Sequence, residues 1–304
     1  ELCRFLGIDP TLACQEAEGD FPVFVPLEYA SRMRRGDAAD PLLCQVLATQ
    51  AETSPDGLTD PVGDLASQQV EGLLHKYPGR VLLVATGACA VHCRYCFRRH
   101  FPYEEVPRGE EQWLRWLDYI RDDESTHEGI LSGGDPLTVA DSRWKWFVNE
   151  LNGIEHVRRL RIHTRTPVMI PQRVCDELLD WMRNCRASVY VVLHVNHAQE
   201  IDGSVGEAVL RMREAGASLL NQAVLLAGVN DSQEALCSLC ERLIDLQVIP
   251  YYLHQLDPVQ GGMHFAVKDA EAECLIEGVR QSLPGYAVPT LVREIAGRSS
   301  KTPV

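Results

Sequence analysis

Three thiols set the chemistry open to this chain. Cys89, Cys93 and Cys96 stand at intervals of four and three residues in CAVHCRYCFRRHFPY, directly after an apolar, strand-like run. A cubane iron–sulfur cluster has four irons and normally takes four cysteine ligands, so a loop with three leaves one iron open to a small molecule. The competing reading is a zinc site, in which His92 or His100 joins the three thiolates. Structural zinc sites usually pair two knuckles across a longer loop. Cys237 and Cys240 could supply the second knuckle, but they fall in SQEALCSLCERLIDL, an amphipathic helical pattern whose cysteines read as buried small residues.

Further constellations flank the thiols. His75-Lys76-Tyr77-Pro78-Gly79-Arg80 sets two cations and a phenol just ahead of the apolar run. Lysine and arginine suit a phosphate, yet an ordinary basic turn has the same composition, and both readings stand. Ser132-Gly133-Gly134-Asp135-Pro136-Leu137 offers two glycines where backbone could approach a ligand closely, or simply turn. Arg94, Arg98, Arg99 and His100 form a basic patch beside the thiols, suited to anchoring a substrate or cofactor.

Composition excludes several classes. The 304 residues carry a formal charge of -14, the wrong sign for nonspecific nucleic-acid binding. The cysteine count, eleven, is odd, and no signal peptide is evident, so a reducing cytoplasm fits better than a secreted disulfide framework. The longest apolar runs, VLLVATGACAV and NQAVLLAGV, are shorter than the roughly 20 residues a bilayer requires. A soluble protein with no membrane partner is expected.

The elements that must position these residues are α/β. Residues 1–75 alternate short helical patterns with breaks, and Asp9-Pro10, Asp40-Pro41 and Asp60-Pro61 read as capped helix starts. From Arg80 the pattern changes to six β-rich stretches, RVLLVATG, EGILSG, RRLRIHT, SVYVVLHV, SLLNQAVLLA and IPYYLHQ, separated by amphipathic helices. Such alternation predicts parallel pairing, in a barrel or an open doubly wound sheet. Both bind ligands at the carboxyl ends of their strands, where the thiol loop sits, so periodicity does not choose between them.

The Cys-x3-Cys-x2-Cys spacing resembles that of the radical S-adenosylmethionine (SAM) enzymes. The resemblance implies a partial (β/α)6 barrel and a 4Fe–4S cluster on Cys89, Cys93 and Cys96, with SAM on the open iron, where one electron cleaves it to a deoxyadenosyl radical. It also implies SAM contacts from Ser132, Gly133, Gly134, Asp135, His194 and Gln222. Over roughly residues 58–304, the phrases CRYCFRRHFPY, SGGDPL, RLRIHTR, HVNHAQE, PYYLHQLDPVQG and REIAGRSSKTP are similar to those of the lysine 2,3-aminomutases. The likeness is nearest to the subgroup that makes (R)-β-lysine for modification of elongation factor P.

That resemblance brings a second cofactor, pyridoxal 5'-phosphate (PLP), with Lys76, Tyr77 and Arg80 on its phosphate. PLP needs a lysine amine to hold its aldehyde. The chain has four lysines, Lys76, Lys145, Lys268 and Lys301. Lys145 and Lys268 lie in helical patterns and are expected to face solvent, and Lys76 belongs to the phosphate group. Lys301 remains, in GRSSKTPV, a loop flexible enough to bring an amine over the barrel mouth and matching the family's PLP lysine. Arg98 matches the arginine on the substrate α-carboxylate, and Asp257 one of the acids on the distal ammonium. Glu294 stands where the clostridial type has aspartate.

The implied organisation is a helical region 1–75, a barrel 76–286, and a C-terminal segment 287–304 that carries the PLP lysine and closes its site. The implied substrate is L-lysine, the electron donor a flavodoxin or ferredoxin. Free β-lysine would pass to a separate ligase acting on elongation factor P, and a homo-oligomer is left open. The longer aminomutases add a cysteine-bearing zinc extension; this sequence stops at Val304 without it, and no zinc is expected. The alternatives are a radical SAM enzyme for another amino acid or for RNA, and a zinc-binding interaction module.

Overall fold

One sheet runs in chain order through ten strands: β1 (Gln68–Val70), β2 (Leu73–Tyr77), β3 (Arg80–Thr86), β4 (Glu128–Gly133), β5 (Arg159–Thr164), β6 (Ser188–His194), β7 (Ser218–Val224), β8 (Ile249–His254), β9 (Thr290–Arg293) and β10 (Thr302–Pro303). The computed structural model describes residues 1–106 and 109–304. The six stretches expected from the sequence are β3 to β8, all parallel. β9 adds a further parallel strand. β1, β2 and β10 pair antiparallel, and β1 and β10 remain the two edges, so the barrel stays open. Four residues of β9 were too few to register as a strand by pattern.

Alternation along the strands divides cavity from core. On β5, Arg159, Arg161 and His163 line the interior cavity, whereas Leu160 and Ile162 are fully buried under the helices. Successive side chains of a strand point to opposite faces, so the polar set is presented together. The crossover helices Glu110–Asp122, Asp141–Asn152, Asp176–Arg183, Gly203–Glu214, Gln233–Asp245 and Asp269–Ser282 cover the outside. In Glu110–Asp122 the buried residues Trp113, Trp116, Leu117 and Ile120 recur at helical spacing and form one apolar stripe. Trp113 stacks on Trp116 with centroids 5.3 Å apart and meets Trp144 at 4.9 Å, so the first two helices lock together through aromatic rings.

Two local expectations changed. The helical pattern PQRVCDELLDWMRN predicts a helix from Pro171, but the helix begins only at Asp176, because Arg173 donates to the Leu137 carbonyl and to Asp141, each at 2.8 Å, and turns the chain there. Asp9 and Asp40 do cap short helical turns, but Asp60 does not. Its carboxylate accepts from the Asp64 and Leu65 amides across Gly63, whose φ of 67° is left-handed, and so braces a turn. This turn delivers Asp64 to the site.

The C-terminal segment is held rather than frayed. Thr302 and Pro303 pair with Arg293 and Val292, folding the last residues back over the strand ends. The intervening loop brings Lys301 beside Glu294.

Candidate active site

A cavity of about 630 Å³ occupies the barrel interior, on the scale of known ligand sites at roughly 300–1,000 Å³. Cys89, Cys93, Cys96 and Lys301 all line it. The thiol loop leaves β3 at its carboxyl end and is wound by tight turns, Cys96 donating its amide to the Cys93 carbonyl at 3.0 Å and Arg99 to that of Cys96 at 3.2 Å. Burial pushes the Cys96 thiol up to about 11, and Cys93 beside it adds to the rise. Burial also raises Cys89, reinforced by Cys96, Asp135 and Cys93. Crowded thiols of this kind resist ionising alone and favour positively charged iron. Among the described residues no three His, Cys, Asp or Glu side chains are grouped to hold one ion. A cubane does not need convergence, since each iron takes its own thiolate.

The Gly-Gly element packs directly against this loop. Gly133 has φ of 112°, and a Cβ there would meet the Thr86 carbonyl oxygen at 2.8 Å. The Gly134 and Asp135 amides donate to the Thr86 and Ala88 carbonyls at 2.7 and 2.8 Å. These glycines therefore permit close approach of the segment leading into Cys89 while also lining the cavity. Both Asp135 oxygens are committed to the protein. Oδ1 accepts from Leu137 N and Thr164 Oγ1, and Oδ2 from the amides of Arg165 and Thr166, all within 3.0 Å. Ser132 Oγ accepts from Arg98 at 3.1 Å.

Arg98 also donates through Nε to Asp64 Oδ2 at 2.6 Å, and Lys76 Nζ lies 2.6 Å from Asp64 Oδ1. One buried carboxylate thus joins two cations that the sequence assigned to different ligand groups. Burial opposes ionisation of Asp64, but Arg98 and Lys76 outweigh it and hold the carboxyl below its usual range. Nothing in the sequence signalled Asp64. Its neighbourhood carries no motif, and its partners are 12 and 34 positions away.

Lys301 Nζ donates to Glu294 Oε2 at 2.6 Å, and Tyr77 OH donates to Oε1. Burial raises the Glu294 carboxyl, yet Lys301 more than compensates and keeps it ionised. Arg80 lies over the Tyr77 ring, 4.5 Å from its centroid. Lys268 is exposed and Lys145 is 62% exposed, as their helical settings suggested. Asp257 lines the same cavity, and its side chain makes no hydrogen bond or ion pair among the described residues. Burial pushes its carboxyl up to about 7, against the pull of the Lys301 ammonium. An unpaired carboxylate beside one that already holds a primary ammonium is a setting for a second ammonium.

His194 and Gln222 are cross-strand partners on β6 and β7, both lining the cavity. Burial, with Arg165 nearby, lowers His194 to about 3, so it is neutral; its Nε2 lies 2.9 Å from Tyr95 OH. His163 and His254 also line the cavity, each with Nε2 buried and unpartnered among the described residues. Burial holds both rings neutral. They were not singled out in the sequence, although the polar alternation of RLRIHT already marked His163 as facing inward.

Residues 83–240 match the family model of the Radical SAM superfamily. The L-lysine 2,3-aminomutase of Escherichia coli strain K12 is 44% identical over 309 aligned residues, spanning 100% of this chain and 90% of that protein. The chain belongs to the radical SAM lysine 2,3-aminomutases. The enzyme of the same name from Haemophilus influenzae is 43% identical over 93% of this aminomutase-family chain and 84% of its own length. Family membership makes the protein an isomerase by class, with a 4Fe–4S cluster and SAM as its radical source. A radical SAM methyltransferase from Sphaerobacter thermophilus superposes with a TM-score of 0.51 at 18% identity, covering 73% of this chain and 68% of that one, and shares the fold. No helix of the described residues is long and apolar enough to cross a membrane.

Proposed function

We propose that the protein is a PLP-dependent L-lysine 2,3-aminomutase that forms (R)-β-lysine. One observation carries this reading: a single cavity is lined both by the three thiols and by an amine with two carboxylates beside it. Bound there, the cluster and SAM supply a carbon-centred radical, and PLP supplies the π system that lets nitrogen migrate. The chain's own residues bind and orient. Cys89, Cys93 and Cys96 hold three irons; Ser132, Gly133, Gly134 and Asp135, with His194 and Gln222, form the SAM wall. Lys76, Tyr77 and Arg80 take the PLP phosphate, and Lys301 its aldehyde.

Arg98 takes the substrate α-carboxylate, held in orientation by Asp64 and Ser132. Asp257 and Glu294 take the distal ammonium. Glu294 binds Lys301 in the free protein and is released once that amine is engaged, which couples cofactor loading to completion of the substrate site. The C-terminal segment folded back on β9 would help shield the site from solvent.

The R product, and its delivery as free β-lysine to a ligase acting on elongation factor P, rest on the likeness of CRYCFRRHFPY and REIAGRSSKTP to that subgroup. The same reading implies flavodoxin or ferredoxin as electron source, a cytoplasmic setting, and a division into 1–75, 76–286 and 287–304. Anaerobic incubation of reconstituted protein with L-lysine, SAM, PLP and dithionite, followed by chiral chromatography, is the test. (R)-β-lysine is expected. Absence of β-lysine from protein with bound PLP and an intact cluster rejects the substrate assignment, and the S product rejects the subgroup.

A further inference from the structure

Arg165 is the residue whose environment the proposed reaction leaves unexplained. It follows β5 directly, on a turn fixed by Asp135, whose Oδ2 accepts the Arg165 amide at 2.7 Å. The side chain is buried and lines the cavity. Its Nη1 lies 2.8 Å from Cys93 Sγ and 2.8 Å from Tyr95 OH. Nη2 donates to Gln45 Oε1 at 2.7 Å, Glu200 Oε2 at 2.9 Å and Tyr29 OH at 3.2 Å. Nε is buried with no partner among the described residues.

A structural arginine of this kind would be satisfied by Glu200, Gln45 and Tyr29 alone. Here one end of the guanidinium is instead directed at a thiol sulfur, while another of its donors goes without an acceptor. Hydrogen bonds and positive charge at ligand sulfurs stabilise the more negative, reduced state of an iron–sulfur cluster. Tyr95 OH, also within reach of His194 Nε2, connects the same guanidinium to the wall proposed for SAM. Glu200 neutralises part of the charge, so the directed N–H to Cys93 is the local effect that remains.

We infer that Arg165 is the residue that sets the reduction potential of the cluster, by donating a hydrogen bond to the Cys93 sulfur and thereby easing the one-electron reduction that starts each turnover. The inference rests on Cys93 being a cluster ligand and goes beyond the assignment of the reaction. The electron comes from the external donor, and no bond to Arg165 forms or breaks.

Two measurements on the full-length, cluster-loaded protein test it. In wild type labelled with guanidinium-15N arginine, pulsed EPR of the reduced cluster should show a resolved 15N coupling, and Arg165→Lys prepared from the same labelled arginine should lose it. An EPR-monitored redox titration should place Arg165→Gln at a more negative midpoint than wild type, with Arg165→Lys, which keeps charge and one donor, in between. Absence of the coupling in wild type, its persistence in Arg165→Lys, or an unshifted midpoint in Arg165→Gln overturns the proposal. Should Arg165→Gln fail to retain iron and sulfide, the wild-type coupling decides alone. Wild-type protein without iron and sulfide would overturn the cluster assignment itself, a failure that iron analysis separates from the others.

Discussion

The proposed role of Asp257 in holding the substrate ammonium is testable by pH. Burial raises its carboxyl to about 7, and only the ionised form attracts the lysine ammonium. Below that point each pH unit removes roughly tenfold of the ionised fraction, about 1.36 kcal/mol of binding per unit. Loading Lys301 with cofactor takes away the ammonium that pulls Asp257 down, so in the loaded enzyme the midpoint should lie at 7 or slightly above. Lysine KM measured from pH 6 to 8 should therefore fall as pH rises and level off beyond the midpoint. Asp257→Asn should flatten that limb. Leaving one partner of a buried ion pair unmatched costs about 3–5 kcal/mol, or roughly 10²- to 10⁴-fold in kcat/KM, and because Glu294 shares the ammonium the loss should fall toward the lower end. A pH-independent KM in wild type, or unchanged kcat/KM in Asp257→Asn with PLP and iron retained, would refute the reasoning.

Three further outcomes follow from the geometry. Borohydride reduction should fix PLP covalently to wild type but not to Lys301→Ala, as intact-mass analysis would reveal; covalent trapping in the variant would exclude Lys301 as the anchor. Gly134→Ala puts a Cβ 2.8 Å from the Gly87 carbonyl carbon and should lower iron and sulfide content after reconstitution, because the chain entering Cys89 must shift. Trp144→Ala removes a fully buried ring from between two helices and should destabilise the fold by about 3–5 kcal/mol in urea denaturation, with the reduced chiral product ratio unchanged in the surviving folded fraction.

β3 to β8 were legible because each carries its own signal and the sheet keeps the order of the chain, whereas β1, β2, β9 and β10 were not among the expected strands. β5 shows how much of the cavity was legible too, since Arg159, Arg161 and His163 alternate with Leu160 and Ile162 and can only face the opposite side. The thiol loop, the Gly-Gly turn and Lys301 were visible because each is a compact local motif. Asp64 and Arg165 were not. Asp64 reaches Lys76 and Arg98 through a brace at Asp60 and Gly63, and Arg165 reaches Cys93 from a turn set by Asp135. Contacts between residues 34 or 72 positions apart leave no trace in spacing or periodicity. The packing role of Gly133 and Gly134 was hidden for the same reason, since the neighbour that needs their missing side chains is a separate loop.

In the proposed reaction one cavity carries hydrogen between a radical made beside the thiols and a lysine held beside Lys301. Incubation with L-lysine deuterated at C3, followed by mass spectrometry of recovered SAM and β-lysine, tests it directly. Deuterium should appear at the 5' carbon of SAM and at C2 of the product. β-Lysine formed while SAM stays unlabelled would contradict the account.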